Sequence, residues 1–316
     1  MKLDFGQSSE QATPVLAPDS TSRADQPPDG WRLWLLAIRP KTLSISVAPV
    51  VAGSALAWSD LGHLDPRPAV AALVGALAIQ AGTNLYNDVG DALRGGDQPL
   101  RQGPPRVTAL GWATPERVRR AALVCFGLAA LVGLYLVWLG GWPILALGLA
   151  SLAAGWAYSG GPRPIAYTPL GEVFVIAFFG LGAVGGSYDL QTGSVSAGAL
   201  VVGLALGSVA SAVLLANNYR DMEPDRLAGR RTLAIRVGVH ASRLCYAGFI
   251  LMPLGLLASP LGPKGGWLTL AALPVAIRLI RRFVTEIRGP AFNAILAATA
   301  RFQLLLALLL AVGLAL

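Results

Sequence analysis

From Ala121 to Pro162 the chain carries no Asp, Glu, Lys, Arg or His. One crossing of a bilayer takes about 20 apolar residues, so this run is too long for a single span and too apolar for a soluble helix. Gly140-Gly141-Trp142-Pro143 interrupts it near the middle, and the spacing predicts a tight helical hairpin. The rest of the chain agrees with a lipid environment. Of 316 residues, 54% are hydrophobic and only 13% charged, whereas a soluble domain carries roughly 25% charged residues. The apolar runs are continuous rather than alternating, which disfavours a β-barrel and favours helices.

Apolar length and breaker residues define nine helix candidates, near 42–59, 68–87, 117–139, 142–159, 171–189, 197–219, 240–258, 266–283 and 291–315. The expected architecture is therefore an all-α integral membrane bundle of nine transmembrane helices, occupying residues 31–316 as one domain. Residues 1–30 are rich in Pro, Ser, Asp and Gln without an apolar stretch, and read as a disordered cytoplasmic tail. Trp58, Trp138, Trp142 and Trp267 fall near helix ends, as an interfacial aromatic belt would place them.

The net charge of +8 is concentrated in alternate loops. Arg94, Arg101, Arg106, Arg117, Arg119 and Arg120 cluster after the second candidate, and Arg220, Arg226, Arg230, Arg231 and Arg236 after the sixth. The loops between carry Arg67, Lys264, or no basic residue at all. This asymmetry orients the chain with its N-terminus in the cytoplasm, so the basic excess reflects topology and calls for no nucleic acid. A bacterial cell membrane is the expected location. Cys125 and Cys245 both fall in apolar segments and suggest neither a disulfide framework nor a zinc site.

Two acidic clusters break the apolar pattern. "NLYNDVGDALRGGD" (84–97) ends the second candidate and "NNYRDMEPDRLAGRRTL" (217–233) ends the sixth. Asn84-x-Tyr86-x-Asp88 matches Asn217-x-Tyr219-x-Asp221, with Asp91 and Asp225 following. Asn84, Asp88 and Asp91 stand at i, i+4 and i+7, and Asn217, Asp221 and Asp225 at i, i+4 and i+8, so each set forms one stripe of a helix. Gly90 and Pro224 are expected to loosen these helix ends. Carboxylates at a helix C-terminus repel each other and the dipole. Pairing with local arginines would offset that. Two matching stripes on one side of a bundle are better explained by Mg²⁺, which takes oxygen ligands from one or two carboxylates and substrate phosphates. Arginines are then left for phosphate oxygens, and the whole describes a diphosphate site at the cytoplasmic membrane surface. An ion-coupled transporter also carries acidic residues in its helices, but usually near the midplane and within inverted repeats.

These clusters resemble the paired Asp-rich motifs of the UbiA superfamily of intramembrane aromatic prenyltransferases. "AIRPKTL" (37–43), "NDVGDALRGGD" (87–97), "GPPRVT" (103–108), "YSGGPRPIAYTPLGE" (158–172) and "NNYRDMEPDRLAGRRTLAIRVG" (217–238) are similar to the branch whose acceptor is 1,4-dihydroxy-2-naphthoate. The resemblance implies Mg²⁺-dependent transfer of a polyprenyl or phytyl group from its diphosphate to that acceptor, with loss of CO₂, in menaquinone or phylloquinone biosynthesis. It implies metal binding by Asp88, Asp91, Asp221 and Asp225, and by Asp97, which follows Gly95 as in this branch. Asn84, Asn87 and Asn217 would support that site, and Arg94, Arg163, Arg220 and Arg231 would hold the diphosphate. Arg39 or Lys41 would take the acceptor carboxylate, and Tyr158 would face the allylic cation with its ring. The isoprenyl tail would lie between helices, against membrane lipid. A relative acting on 4-hydroxybenzoate is the alternative within this class.

Overall fold

The computed structural model describes residues 27–94, 102–103 and 105–316. The expected tail, up to residue 26, and Asp97 lie outside them. The described residues form helices and no strand. In chain order the helices are α1 (Gly30–Ile38), α2 (Pro40–Leu61), α3 (Pro66–Leu93), α4 (Pro115–Ser159), α5 (Gly171–Thr192), α6 (Ala197–Arg220), α7 (Met222–Leu227), α8 (Leu233–Ala258), α9 (Leu273–Thr285) and α10 (Phe292–Ala315). Among them α2, α3, α4, α5, α6, α8 and α10 are long and apolar enough to cross a membrane.

Seven such helices stand where the sequence suggested nine stretches, for two local reasons. The third and fourth candidates run together as α4, and the eighth begins as a 3₁₀ turn, Gly266–Ala272, before α9. Yet α4 is not one rod. Gly141 leaves helical geometry at φ 65° and ψ −151°, a conformation only glycine adopts readily. Phe126 and Gly155 would lie about 44 Å apart on a continuous helix, but a Cβ on Gly155 would stand 3.3 Å from the Phe126 ring. The two halves therefore fold back on each other, and both pack on α3 through Gly82 and Thr83. Trp138 and Trp142 flank the reversal and are largely exposed, as an interfacial anchor requires.

Helix α6 is the central element. Its Gly, Ala and Ser residues let α2, α5, α8 and α10 approach it from several sides. The tightest approach is to α5, whose segment Ile176–Gly182 is π-helical. A Cβ on Gly180 would meet Gly203 O at 2.3 Å and Gly207 Cα at 2.7 Å. At the C-terminal end of α6, Tyr219, Tyr246, Phe283 and Phe292 pack ring against ring and fasten α8, α9 and α10.

Helix α1 was not anticipated from hydropathy, because nine residues cannot span a bilayer. It meets α2 at Arg39, the one non-glycine residue with positive φ among the described residues (φ 56°), and Pro40 starts α2 with a fixed φ. Gly90 does not end α3, which continues to Leu93. The glycine instead admits the end of α4, since a Cβ there would lie 2.9 Å from Ser159 O.

Candidate active site

The ends of α3 and α6 bring the two acidic motifs together. Between them and the bundle interior lies a cavity of about 430 Å³, lined at its polar end by Arg39, Thr42, Asn84, Asn87, Tyr158 and Asn217. Its remaining walls are mostly apolar and include Ile79, Leu147, Phe174, Phe178 and Phe179. Leu134 and Leu149 also line it and are more than half exposed, so the cavity reaches the outer face of the bundle. The acidic residues stand one turn beyond its polar end. Asp91 follows Asn87, and Asp221 follows Asn217, by four residues, which is about 6 Å along a helix.

Asp88 is buried and accepts hydrogen bonds from the Val107 and Thr108 amides, both at 3.2 Å, and from the Thr108 hydroxyl. It secures the segment after residue 105 across the end of α3. Asp91 is buried between two guanidiniums: Arg106 pairs with Oδ2 and Arg230 lies 2.7 Å from Oδ1. Arg106 also donates to Asn87 O at 3.0 Å. Arg230 reaches the second motif too, with Nε 3.4 Å from Asp225 Oδ1. Its charge is disfavoured by burial, but the Asp91 and Asp225 carboxylates outweigh that and push its pKa above the usual arginine value. Asp221 pairs with Arg220, which also donates to Asn217 Oδ1 at 2.9 Å and to Asn293 Oδ1.

The stripe of the second motif crosses a helix break. Helix α6 stops at Arg220 and α7 starts at Met222. The bond from Asp225 N to Asp221 O, 2.8 Å, preserves the four-residue spacing across that corner, and Pro224 sits inside the short α7 without ending it. The stripe of the first motif divides. Asn84 donates to Ile38 O (2.8 Å) and Thr42 Oγ1 (3.2 Å), fixing the α1–α2 junction, whereas Asp91 reaches Arg230 beside the second motif.

The basic residues separate by position. Arg39 lines the cavity, while Lys41 is exposed outside it. Arg94 donates to Ser159 O at 2.6 Å and Gly161 O at 2.8 Å, clamping the ends of α3 and α4 together. Arg163 and Arg231 are exposed; the backbone N–H of Arg231 donates to Tyr167 O at 2.9 Å. Tyr158 lines the cavity from the last turn of α4.

Sequence reasoning assigned no chemistry to Arg106 and Arg230. "GPPRVT" pointed to the first. Arg230 was hidden by its neighbour, because two adjacent arginines leave open which one turns inward. Glu172, buried with Oε1 accepting from Asn218 Nδ2 at 3.1 Å, was also missed, since it belongs to neither acidic cluster.

The donor set can be tested against a hard divalent cation. Among the described residues no three His, Cys, Asp or Glu groups form a metal cage of their own. However, Asp91 and Asp225, from opposite motifs, already converge on one cationic group, and Asn87 Oδ1 is buried and accepts no hydrogen bond from the described residues. Two carboxylates and an amide oxygen fit Mg²⁺, which commonly completes its shell with water and substrate phosphate.

The chain is similar to several known proteins. The chain is 37% identical over 290 residues to the 1,4-dihydroxy-2-naphthoate octaprenyltransferase of Escherichia coli, covering 89% of this chain and 94% of that one. It is 38% identical over 248 residues to the enzyme of the same name from Mycobacterium tuberculosis, covering 78% and 84%. Its fold is similar to that of a UbiA homolog from Archaeoglobus fulgidus bound to DMAPP and Mg²⁺, with a TM-score of 0.63 at 14% identity over 87% of this chain and 98% of that one. Residues 46–303, which include both acidic motifs, match the UbiA prenyltransferase family, and the chain belongs to that family.

Proposed function

We propose that the protein is a 1,4-dihydroxy-2-naphthoate prenyltransferase of menaquinone or phylloquinone biosynthesis, transferring an isoprenyl group from its diphosphate to the ring with loss of CO₂. The observation that carries this reading is the meeting of Asp91 and Asp225 beside a buried guanidinium, at the polar end of an apolar cavity that opens to the side of the bundle. A charged head and a long apolar tail fit that division. The names of the relatives at 37% and 38% identity supply the acceptor.

Asp91, Asp221, Asp225 and Asn87 would hold Mg²⁺, with Asp88 holding the 106–108 segment over them. When bound, the metal stabilises charge on the departing diphosphate. The apolar walls exclude water, so the allylic cation left by C–O cleavage survives until the ring carbon reaches it. Tyr158 presents its ring to that cation. Arg39 takes the acceptor carboxylate. Its left-handed backbone is an energetically costly conformation for a non-glycine residue, held where Asn84 bonds the preceding carbonyl, and it aims the side chain into the cavity rather than toward water. The ring carbon bearing the carboxylate attacks, a hydroxyl proton is lost to give a ketone, and CO₂ leaves. Reprotonation restores the aromatic hydroquinone.

Acceptor labelled in its carboxylate is expected to release one labelled CO₂ per prenylated product. A 4-hydroxybenzoate enzyme would instead lose a ring proton and keep its carboxylate. Label retained in the product, or preference for 4-hydroxybenzoate, rejects the acceptor and leaves the diphosphate site untouched.

The bundle makes nine crossings in this reading: the seven long helices, with α4 counted twice, and the composite of Gly266–Ala272 with α9. The asymmetry of the basic loops supports a cytoplasmic side for both acidic motifs. In a background lacking Cys125 and Cys245, cysteines at the exposed Leu93 and Leu227 should label from the cytoplasmic face, and one at Ser194 from the other. Labelling of Leu93→Cys and Leu227→Cys from opposite faces would contradict a shared site.

A further inference from the structure

Arg230 is anchored more firmly than an incidental ion pair requires. Its backbone N–H bonds Asp225 O at 2.9 Å, the next residue's N–H bonds Tyr167 O at 2.9 Å, and the Tyr167 ring covers its guanidinium at 4.7 Å. Its side chain is only 11% exposed. From this position one cation touches a carboxylate of each acidic motif, Asp91 and Asp225. The two motifs come from segments more than a hundred residues apart, so that contact sets their spacing.

We propose that Arg230 is a placeholder for the metal: it holds Asp91 and Asp225 together beforehand, yields them to Mg²⁺, and moves its guanidinium onto the diphosphate. The inference rests on the metal–diphosphate reading of the site. Two carboxylates withdrawn from water repel each other unless a cation lies between them, so a site assembled before metal arrives needs such a group. The carboxylate oxygens nearest Arg230 are those a metal would take, and Mg²⁺ demands oxygen ligands in near-octahedral order. The carboxylates therefore serve one cation fully or the other. Arginine cannot leave by losing its proton. Packed under Tyr167, the displaced guanidinium has little access to water and needs a new anion, and its forked donors match phosphate oxygens. Metal alone would strand a buried guanidinium, and diphosphate alone would meet carboxylates. Each ligand thus improves the site for the other, which is a coupling free energy between two bound species. Arg106 differs, because its additional bond to Asn87 O keeps it against the backbone of α3.

Calorimetry on the purified full-length protein tests this with Mn²⁺ as the metal and inorganic pyrophosphate as the anion, separately and together. In the unaltered protein, pyrophosphate is expected to tighten Mn²⁺ binding by about tenfold or more, within the range of ordinary coupling. Arg230→Gln should bind Mn²⁺ alone more tightly than the unaltered protein, because the competing cation is gone. It should also lose most of the tightening by pyrophosphate. These opposite signs distinguish a placeholder from a structural brace, whose loss would weaken both. Arg230→Lys keeps the charge without the fork. It carries the test if the Gln variant does not fold, with coupling expected to fall at least about threefold. Weaker Mn²⁺ binding by Arg230→Gln, or coupling within about twofold of the unaltered protein in the folded variants, overturns the proposal. Failure of the unaltered protein to bind either ligand overturns the metal–diphosphate reading itself.

Discussion

Asp225→Asn is expected to lower prenyl transfer about a hundredfold or more, the scale on which enzymes lose rate when one preorganised electrostatic contact to developing charge is removed. The protein should remain folded. Asp225 touches Arg230 at 3.4 Å, and that guanidinium keeps its closer partner Asp91. The same isosteric change at Asp91 should cost as much activity and add a structural penalty, because Arg106 and Arg230 would both lose a buried anion. Breaking a buried pair in this way costs roughly 3–5 kcal/mol. Prenyl transfer and thermal stability in detergent, measured side by side, separate the two effects. Chelation should abolish transfer in the unaltered protein, and added Mg²⁺ should restore it. Transfer that survives chelation, or near-normal turnover by Asp225→Asn, would remove the metal from the reaction.

The second large effect is expected far from any charge. A methyl group at Gly180 would stand 2.3 Å from Gly203 O and 2.7 Å from Gly207 Cα, and both obstacles are backbone that cannot rotate away. Gly180→Ala must push α5 off α6. Overpacking of a well-packed core costs about 1–3 kcal/mol even where side chains can adjust, so the loss here should reach the top of that range. The displaced segment carries Phe178 and Phe179, which form the cavity wall, so turnover should fall with stability. Gly248→Ala on α8 is the control, since nothing lies within 4 Å of a Cβ there. Equal stability of the two variants would mean that the crossing of α5 and α6 is looser than this structure describes.

Much of this was legible in the sequence, and the physical reasons for success and failure differ by level. The lipid environment and the hairpin at Gly140-Gly141 follow from apolar length and glycine, because a bilayer imposes a length on every helix. The acidic motifs follow from periodicity, since four-residue spacing survives even the corner between α6 and α7. Hydropathy could not find α1, which is too short to span, nor the 3₁₀ start of the eighth stretch. It also counts α4 as one element unless the reversal is recognised. Among basic residues, composition gives their side of the bundle but not their direction. Arg230 and Arg231 are chemically identical neighbours, and the bonds of their backbone to Asp225 and Tyr167 decide which one is buried. Arg94 looked equally suited to phosphate, yet its donors close the ends of α3 and α4. Lys41 and Arg39 are two residues apart, and the left-handed turn at Arg39 with Pro40 sends them to different environments.

The reversal at Gly141 has a consequence for how the chain must enter its membrane. Asp91 and Asp225 meet around one guanidinium, so the chain between them must pass through the bilayer an even number of times. In the proposed nine-crossing reading the two halves of α4, then α5 and α6, supply four passages; a straight α4 would supply three and leave the motifs on opposite faces. Parity is therefore a condition for assembling the site, set during insertion and before any side chain packs. A lesion that keeps one half of the hairpin out of the lipid would separate the motifs across the membrane. Loss of the whole hairpin would preserve their side while removing a wall of the cavity.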